Sequence, residues 1–301
     1  MPLHVWSSSR YTFPLPPGHR FPIEKYTMLR EAVVERGLVR PEFVHEPQRA
    51  SSDDLLLVHT PDYVERFTGG RLTPDEERRV GFPWSPALVE RSYRAAGGTC
   101  EAAVHAMDHG IAMNLAGGTH HAFPSHGEGF CVFNDVAVAI RMLQRAGRIE
   151  RAAVIDLDVH QGNGTHAIFA GDDRVFTFSM HGGRNYPFHK VPGRLDIELE
   201  DRTGDDEYLR LLGEALPRVL AAAHPDLVVY LAGADPHECD RLGRLSLTFD
   251  GLARRDAMVI EQCREVGIPV VVTVAGGYGA PLQATVEAHA ATVATTVAAT
   301  R

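Results

Sequence analysis

The sequence predicts an α/β fold, a central parallel sheet with helices on both faces, organised as one domain over residues 1–301. Three observations carry that expectation. Strand-length apolar runs alternate with longer stretches of helical periodicity, the runs are apolar throughout, and several end abruptly on glycine turns. A run with no polar alternation suits a strand covered on both sides, the condition of a parallel sheet.

Strands are expected near 111–116, 152–157, 174–179, 227–232 and 269–275. Helical patterns fall between them, near Ile23–Arg36, Pro86–Met107, Asn134–Ala146, Tyr208–Ala223, Phe249–Val266 and Leu282–Ala299. The last of these is mostly Ala, Thr and Val, and is expected to pack on the sheet. The segments Pro14–Arg20, Gly69–Pro86 and His181–Gly193 read as long loops rich in Gly, Pro or charge, the kind that form binding surfaces. No repeat, low-complexity tract or linker divides the chain. With 301 residues and 44% hydrophobic content, one large core is within reach.

The chemistry gathers at the strand ends. The run Asp156-Leu157-Asp158-Val159-His160-Gln161-Gly162-Asn163-Gly164 follows the apolar Ala152-Ala153-Val154-Ile155. Side chains two apart on extended backbone point the same way, so Asp158 and His160 can converge on a divalent metal such as zinc. A single Asp-x-His is more often a capped strand end with a solvated histidine. Three further strand ends change that balance. Asn114-Leu115-Ala116-Gly117-Gly118-Thr119-His120-His121 sets adjacent histidines on a glycine turn, where one must face away from any core. The apolar Leu227–Leu231 run leads through Ala232-Gly233-Ala234 to Asp235, a natural third ligand. Ala275-Gly276-Gly277-Tyr278-Gly279 holds a tyrosine between glycines, on backbone free to bring its hydroxyl to a substrate. Ligands of open α/β sheets bind at the carboxyl ends of the strands, where all four constellations fall.

Taken together, His120-His121, the Gly129–Asp135 run GFCVFND, Asp156–His160, Gly233–Asp235 and Gly276–Tyr278 resemble the zinc-dependent histone deacetylase family in order and spacing. The resemblance extends from about Tyr63 to the last helix and looks most like the short class IV type and its bacterial relatives. It implies the arginase/deacetylase fold and one Zn²⁺ held by Asp158, His160 and Asp235. His120 would bond to Asp156, and His121 to Asn163. A carboxylate partner raises a histidine's pKa more than an amide does, so His120 leans towards a charged, electrostatic role. His121 would be base towards water and then acid towards the leaving amine. Many relatives carry Asp where Asn163 stands. Tyr278 would donate to the oxyanion.

The resemblance further implies a channel walled by Gly129, Phe130 and Tyr186, two rings flanking the methylene stem of an acylated lysine. It also implies structural K⁺ or Na⁺. One such site would use Asp156, Asp158, the His160 carbonyl, Ser179 and the Met180 carbonyl. A second would use backbone carbonyls near Phe169, Asp172 and Val175. The implied substrate is an acylated lysine in a protein or peptide, an acetylated polyamine or another small amide.

Two rival readings share parts of this pattern. A ureohydrolase of the related arginase fold binds two manganese ions and needs acids at the positions held here by Gly162 and His237. An inactive acyl-lysine binding module would lack a ligand, a histidine or the tyrosine, and none is missing. Composition suits a soluble cytoplasmic enzyme. No run is apolar enough to span a bilayer, the amino terminus lacks signal-peptide features, and Cys100, Cys131, Cys239 and Cys263 show no paired spacing. A formal net charge of −9 argues against nucleic-acid binding. It would favour cationic substrates, unless it serves solubility alone. Oligomeric state stays open.

Overall fold

The computed structural model describes residues 1–300. Its strands are β1 (Val5–Trp6), β2 (Val44–His45), β3 (Ile111–Asn114), β4 (Ala152–Asp156), β5 (Val175–Gly182), β6 (Leu195–Leu199), β7 (Leu227–Leu231) and β8 (Val270–Thr273). They form one sheet ordered β2-β1-β3-β8-β7-β4-β5-β6, with every neighbouring pair parallel. Every residue of β3, β4, β7 and β8 is buried, which is why these strands read as unbroken apolar runs.

Those four strands are adjacent, and they are the ones that carry the four motifs. Asn114 pairs with Thr273, Thr273 with Leu231 and Leu231 with Asp156. Their ends therefore form one row, and the four turns leave the sheet at the same edge.

All six expected helices form, at Lys25–Glu35, Pro86–His109, Asp135–Arg145, Asp205–Ala223, Phe249–Glu265 and Leu282–Ala299. The Pro86–His109 helix starts as its sequence directs. The Ser85 hydroxyl accepts from Leu88 N at 3.1 Å, and Pro86 occupies the first turn, where no N–H is missed. The last helix lies mainly against two other helices, Lys25–Glu35 and Phe249–Glu265, rather than on the sheet. One of its threonines finds a partner there: Thr292 Oγ1 donates to Asp256 Oδ2 at 2.6 Å.

Three strands and several short helices depart from the expectation. β1 and β2 are two residues each, too short for any periodicity to register. β6 is an edge strand with Asp196 and Glu198 in it, so it lacks the apolar signature of the centre. The Gly69–Pro86 segment is not simply a loop. It contains a helix, Pro74–Val80, opened by a capping box in which Thr73 and Glu76 satisfy each other's backbone N–H groups. No helix of the described residues is long and apolar enough to cross a membrane. The four cysteines are free thiols, all but Cys239 buried.

Candidate active site

The turn after β3 is held by a residue from the next helix. Asp135 accepts from Gly118 N at 3.0 Å and Thr119 N at 2.7 Å, so its carboxylate shapes the turn that presents His120 and His121. Asn134 caps that helix through Ala137 N at 3.0 Å and ties it to Thr165 Oγ1 at 3.0 Å. The Asn134-Asp135 pair is thus the brace of the histidine turn.

Asp158, His160 and Asp235 come together, buried, with one ligand atom from each within 4.8 Å of the others. His160 Nδ1 lies 2.9 Å from Asp158 Oδ1 and 3.2 Å from Asp235 Oδ2. Backbone donors fix the carboxylates: Gly276 N donates to Asp158 Oδ2 at 2.7 Å and Val159 N to Asp235 Oδ1 at 2.9 Å. Asp235 Oδ2 is buried without a hydrogen-bond donor that meets full geometry. Burial, with the charge of Asp158, pushes the Asp235 carboxyl up to about 7. Against the cost of burial, Asp158 and Asp235 hold the His160 imidazole up to about 10. Two buried carboxylates converging on one imidazole call for a cation, and O, N, O is a donor set that zinc accepts. Gly276 is required here, since a Cβ at this position would collide with the Asp235 carboxylate.

The two histidines sit beside this trio with ring centroids 4.1 Å apart. His120 Nδ1 is 2.6 Å from Asp156 Oδ2, and His121 Nδ1 is 2.7 Å from Asn163 Oδ1. Burial alone would lower His120, but Asp156 and Asp158 outweigh it and hold the group up to about 9. Burial, with the neighbouring His120 and His160, drives His121 well below its ordinary value.

Behind Asn163 stands a residue that the sequence did not single out. Asn163 Nδ2 donates to Glu128 Oε1 at 2.6 Å. Burial works against ionising Glu128, but His126, Asn163 and Tyr186 together hold it below the usual carboxylate range. An ionised carboxylate only accepts, so Asn163 must turn its NH₂ to Glu128 and its oxygen to His121. His121 then carries its proton on Nδ1 and keeps the Nε2 lone pair free.

Two buried cations, also unforeseen, support the remaining turns. Lys25 Nζ donates to Ala275 O and Gly277 O, each at 3.3 Å, and lies 5.4 Å from the centre of the Tyr278 ring. Arg255 donates to Gly233 O at 2.7 Å and Leu157 O at 3.2 Å, bridging the turns that carry Asp235 and Asp158. Tyr278 is buried, its N–H donating to Asp240 Oδ2 at 2.6 Å, with its ring centroid 6.3 Å from that of His160.

Phe130, Tyr186 and Gly129 line a cavity of about 420 Å³ together with His121, His160 and Tyr278. Tyr186 meets His121 edge-on at 5.0 Å, and Phe130 stands 6.0 Å from Tyr278. The Pro74–Val80 helix braces this wall, since Phe130 N donates to Val80 O at 2.8 Å. The mouth of the cavity runs against the charge of the whole chain. It is lined by arginines and by no acidic residue, so the net charge of −9 does not describe the surface a substrate meets.

At the expected cation positions, Ser179 pairs with Asp156 across β5 and β4, and its hydroxyl lies 2.9 Å from His181 Nδ1. Met180 follows it in β5. The Phe169 and Asp172 carbonyls accept turn hydrogen bonds from Asp172 N at 3.0 Å and Val175 N at 3.3 Å.

Residues 19–295 match the family model described as the histone deacetylase domain. The chain belongs to the histone deacetylase family. Histone deacetylase 2 of Arabidopsis thaliana is 36% identical over 272 residues, covering 86% of this chain and 70% of that one. A solved HDAC homolog from Aquifex aeolicus superposes with a TM-score of 0.86 at 26% identity, covering 99% of this chain and 84% of that one. An HDAC homolog complexed with SAHA does so with a TM-score of 0.87 at 26% identity, with the same coverage. For this member of the histone deacetylase family, deacetylase activity on an amide is therefore the supported class of reaction, in the parallel α/β architecture just described.

Proposed function

We propose that this protein is a zinc-dependent deacetylase that hydrolyses the side-chain amide of an acylated lysine. The observation that carries the reading is the buried trio Asp158, His160 and Asp235, facing two histidines and a tyrosine at the foot of an aromatic-walled cavity. Zinc held by that trio would polarise the amide carbonyl and lower the pKa of a water molecule.

The chain's own residues supply the rest. Phe130 and Tyr186 enclose an apolar stem and exclude water around it. His121 takes a proton from the attacking water at Nε2 and returns it to the leaving amine. His120, held protonated against Asp156, stabilises negative charge developing beside it. Tyr278 donates its hydroxyl proton in a hydrogen bond to the carbonyl oxygen as that oxygen becomes an oxyanion. The similarity to a homolog complexed with SAHA supports a ligand site of this kind. A monovalent cation, K⁺ or Na⁺, under Asp156 belongs to the same proposal, supported by the Asp156–Ser179 pairing.

The two positions that would supply acids to a second metal hold none. Gly162 packs against Asp156, and the His237 ring lies tilted against Phe249, centroids 4.1 Å apart, while its Nδ1 accepts from Cys239 N at 3.1 Å. This disfavours the binuclear ureohydrolase reading.

The test is hydrolysis of an acetyl-lysine peptide, abolished by chelation and restored by about one equivalent of zinc per chain. Restoration only by two equivalents of manganese, with urea release from a guanidino substrate, would overturn it.

Tyr278→Phe keeps the ring and removes one donor. Its kcat is expected to fall about 10²–10³-fold, as for other lost oxyanion donors, with KM and metal content little changed. Near wild-type kcat would remove Tyr278 from the chemistry.

Glu128→Ala frees the Asn163 amide to rotate, so some His121 is held in the wrong tautomer. A loss of about 10–100-fold in kcat is expected, the range seen when hydrogen-bond partners behind metal-site histidines are removed. Asn163→Asp should rescue it, because both oxygens of an aspartate accept and orientation no longer matters. Failure of that rescue would reduce Glu128 to a structural brace.

A further inference from the structure

Five arginines converge on the mouth of the cavity from four separate segments. Arg20 ends the Pro14–Arg20 loop, Arg78 and Arg79 close the Pro74–Val80 helix, Arg184 follows β5, and Arg244 lies in the loop beyond β7. All five are exposed. Their carboxylate partners do not balance them. Arg78 pairs with Asp75, while Arg184 and Arg244 share Asp201 at 3.7 and 2.7 Å. Arg20 and Arg79 make no ion pair among the described residues. Asp240, beneath Tyr278, is spent on backbone donors: Leu242 N and Gly243 N at 2.8 Å each, and Tyr278 N at 2.6 Å.

This surplus sits on a chain with 39 acidic and 30 basic residues, so it is not the overall charge showing through. Low-dielectric walls around a mouth of one sign focus its field on an approaching ligand. Guanidinium groups fork onto carboxylates in pairs, which an ammonium cannot do. Beside them Phe188 is 82% exposed, 6.2 Å from Tyr186, an apolar surface that a ligand outside the channel can cover.

We propose that the acylated amine taken by this site carries carboxylate groups beside its acylated stem, as an acyl-lysine in an acidic sequence does. The inference rests on the deacetylase reading and narrows it. Basic peptides and acetylated polyamines become the poor substrates of the set, although the net charge of the chain alone points the other way.

The experiment compares acetyl-lysine peptides of equal length flanked by Glu and Asp, by Ser and Gly, or by Lys and Arg. An N-blocked acetyl-lysine, a small anionic amide, and an acetylated polyamine complete the panel. At low salt the acidic peptide is expected to exceed the basic one by about 10-fold or more in kcat/KM, within the range of electrostatic steering. The gap should close near 1 M salt, where the Debye length is about 3 Å. If the blocked amino acid matches the acidic peptide, the anion is that of a small molecule. If the acidic peptide exceeds it, flanking residues supply the charge.

In Arg20→Glu/Arg79→Glu the ratio of acidic to basic kcat/KM should fall below one. A folding defect would lower both rates and leave the ratio where it was. Equal rates on all peptides, or preference for the basic peptide or the polyamine, would overturn the proposal. Fluorescence anisotropy with labelled peptides separates this failure from that of the parent reading. Selective binding of the acidic peptide without turnover sinks the deacetylase assignment and retains the anionic mouth.

Discussion

Asp235→Asn is expected to leave the protein folded, without metal and without activity. The substitution keeps the shape of the side chain and the oxygen that accepts from Val159 N, so the turn after β7 retains its hydrogen bond. It removes the charge of a buried carboxylate that, in the metal-free protein, crowds Asp158 and is pushed up to about 7 by burial and that neighbour. Relieving such a pair does not destabilise the apoprotein, and its melting temperature should equal or exceed that of metal-free wild type. The metal response is where the two part. A ligand that binds only the folded state raises Tm by mass action, so zinc should raise the wild-type Tm and leave that of the variant where it was. Metal content, from about one ion per chain to near zero, and hydrolysis of an acetyl-lysine peptide complete the measurement. Full turnover with stoichiometric zinc in Asp235→Asn would remove Asp235 from the site.

His121→Ala is expected to cost about 10²–10⁴-fold in kcat, the range for a lost general acid–base, with metal retained. His120→Ala should cost less. The difference lies in what each ring faces. Asn163, turned by Glu128, can only accept from His121, so the base has its lone pair on Nε2, and burial keeps it neutral. His120 is tied to an aspartate and held up to about 9, which suits a standing positive charge and not a proton acceptor. Steady-state kinetics of the two variants on one peptide, with metal assayed in parallel, decide between the roles. Equal losses would mean that they are shared, and a larger loss in His120→Ala that they are exchanged.

The legible parts of this protein share a cause. Asp158 and His160 are expected to converge through extended backbone but do so in the bend beyond β4, where His160 N donates to Asp158 Oδ1; over two residues their convergence is still local geometry. The strands β3, β4, β7 and β8 are buried on both faces, so composition alone marks them. Glycines within two residues of His120, Asp235 and Tyr278 mark turns at which a Cβ would collide, as at Gly276. Each signal sits within a few residues of the feature it reports.

What the sequence by itself determined was therefore the sheet core and the set of strand ends bearing His, Asp and Tyr. Only the tertiary structure decided which partners those groups meet. Glu128 reaches Asn163 across 35 residues, Lys25 reaches Ala275 across 250, and Arg255 reaches Leu157 across 98. The arginines of the mouth come from segments that share no pattern, and β1 and β2 are strands only because a neighbour pairs with them. The physical reason is the range of the interactions. Periodicity and turn chemistry act along the chain, whereas a buried hydrogen bond or a focused charge depends on which distant segments the packed core brings side by side.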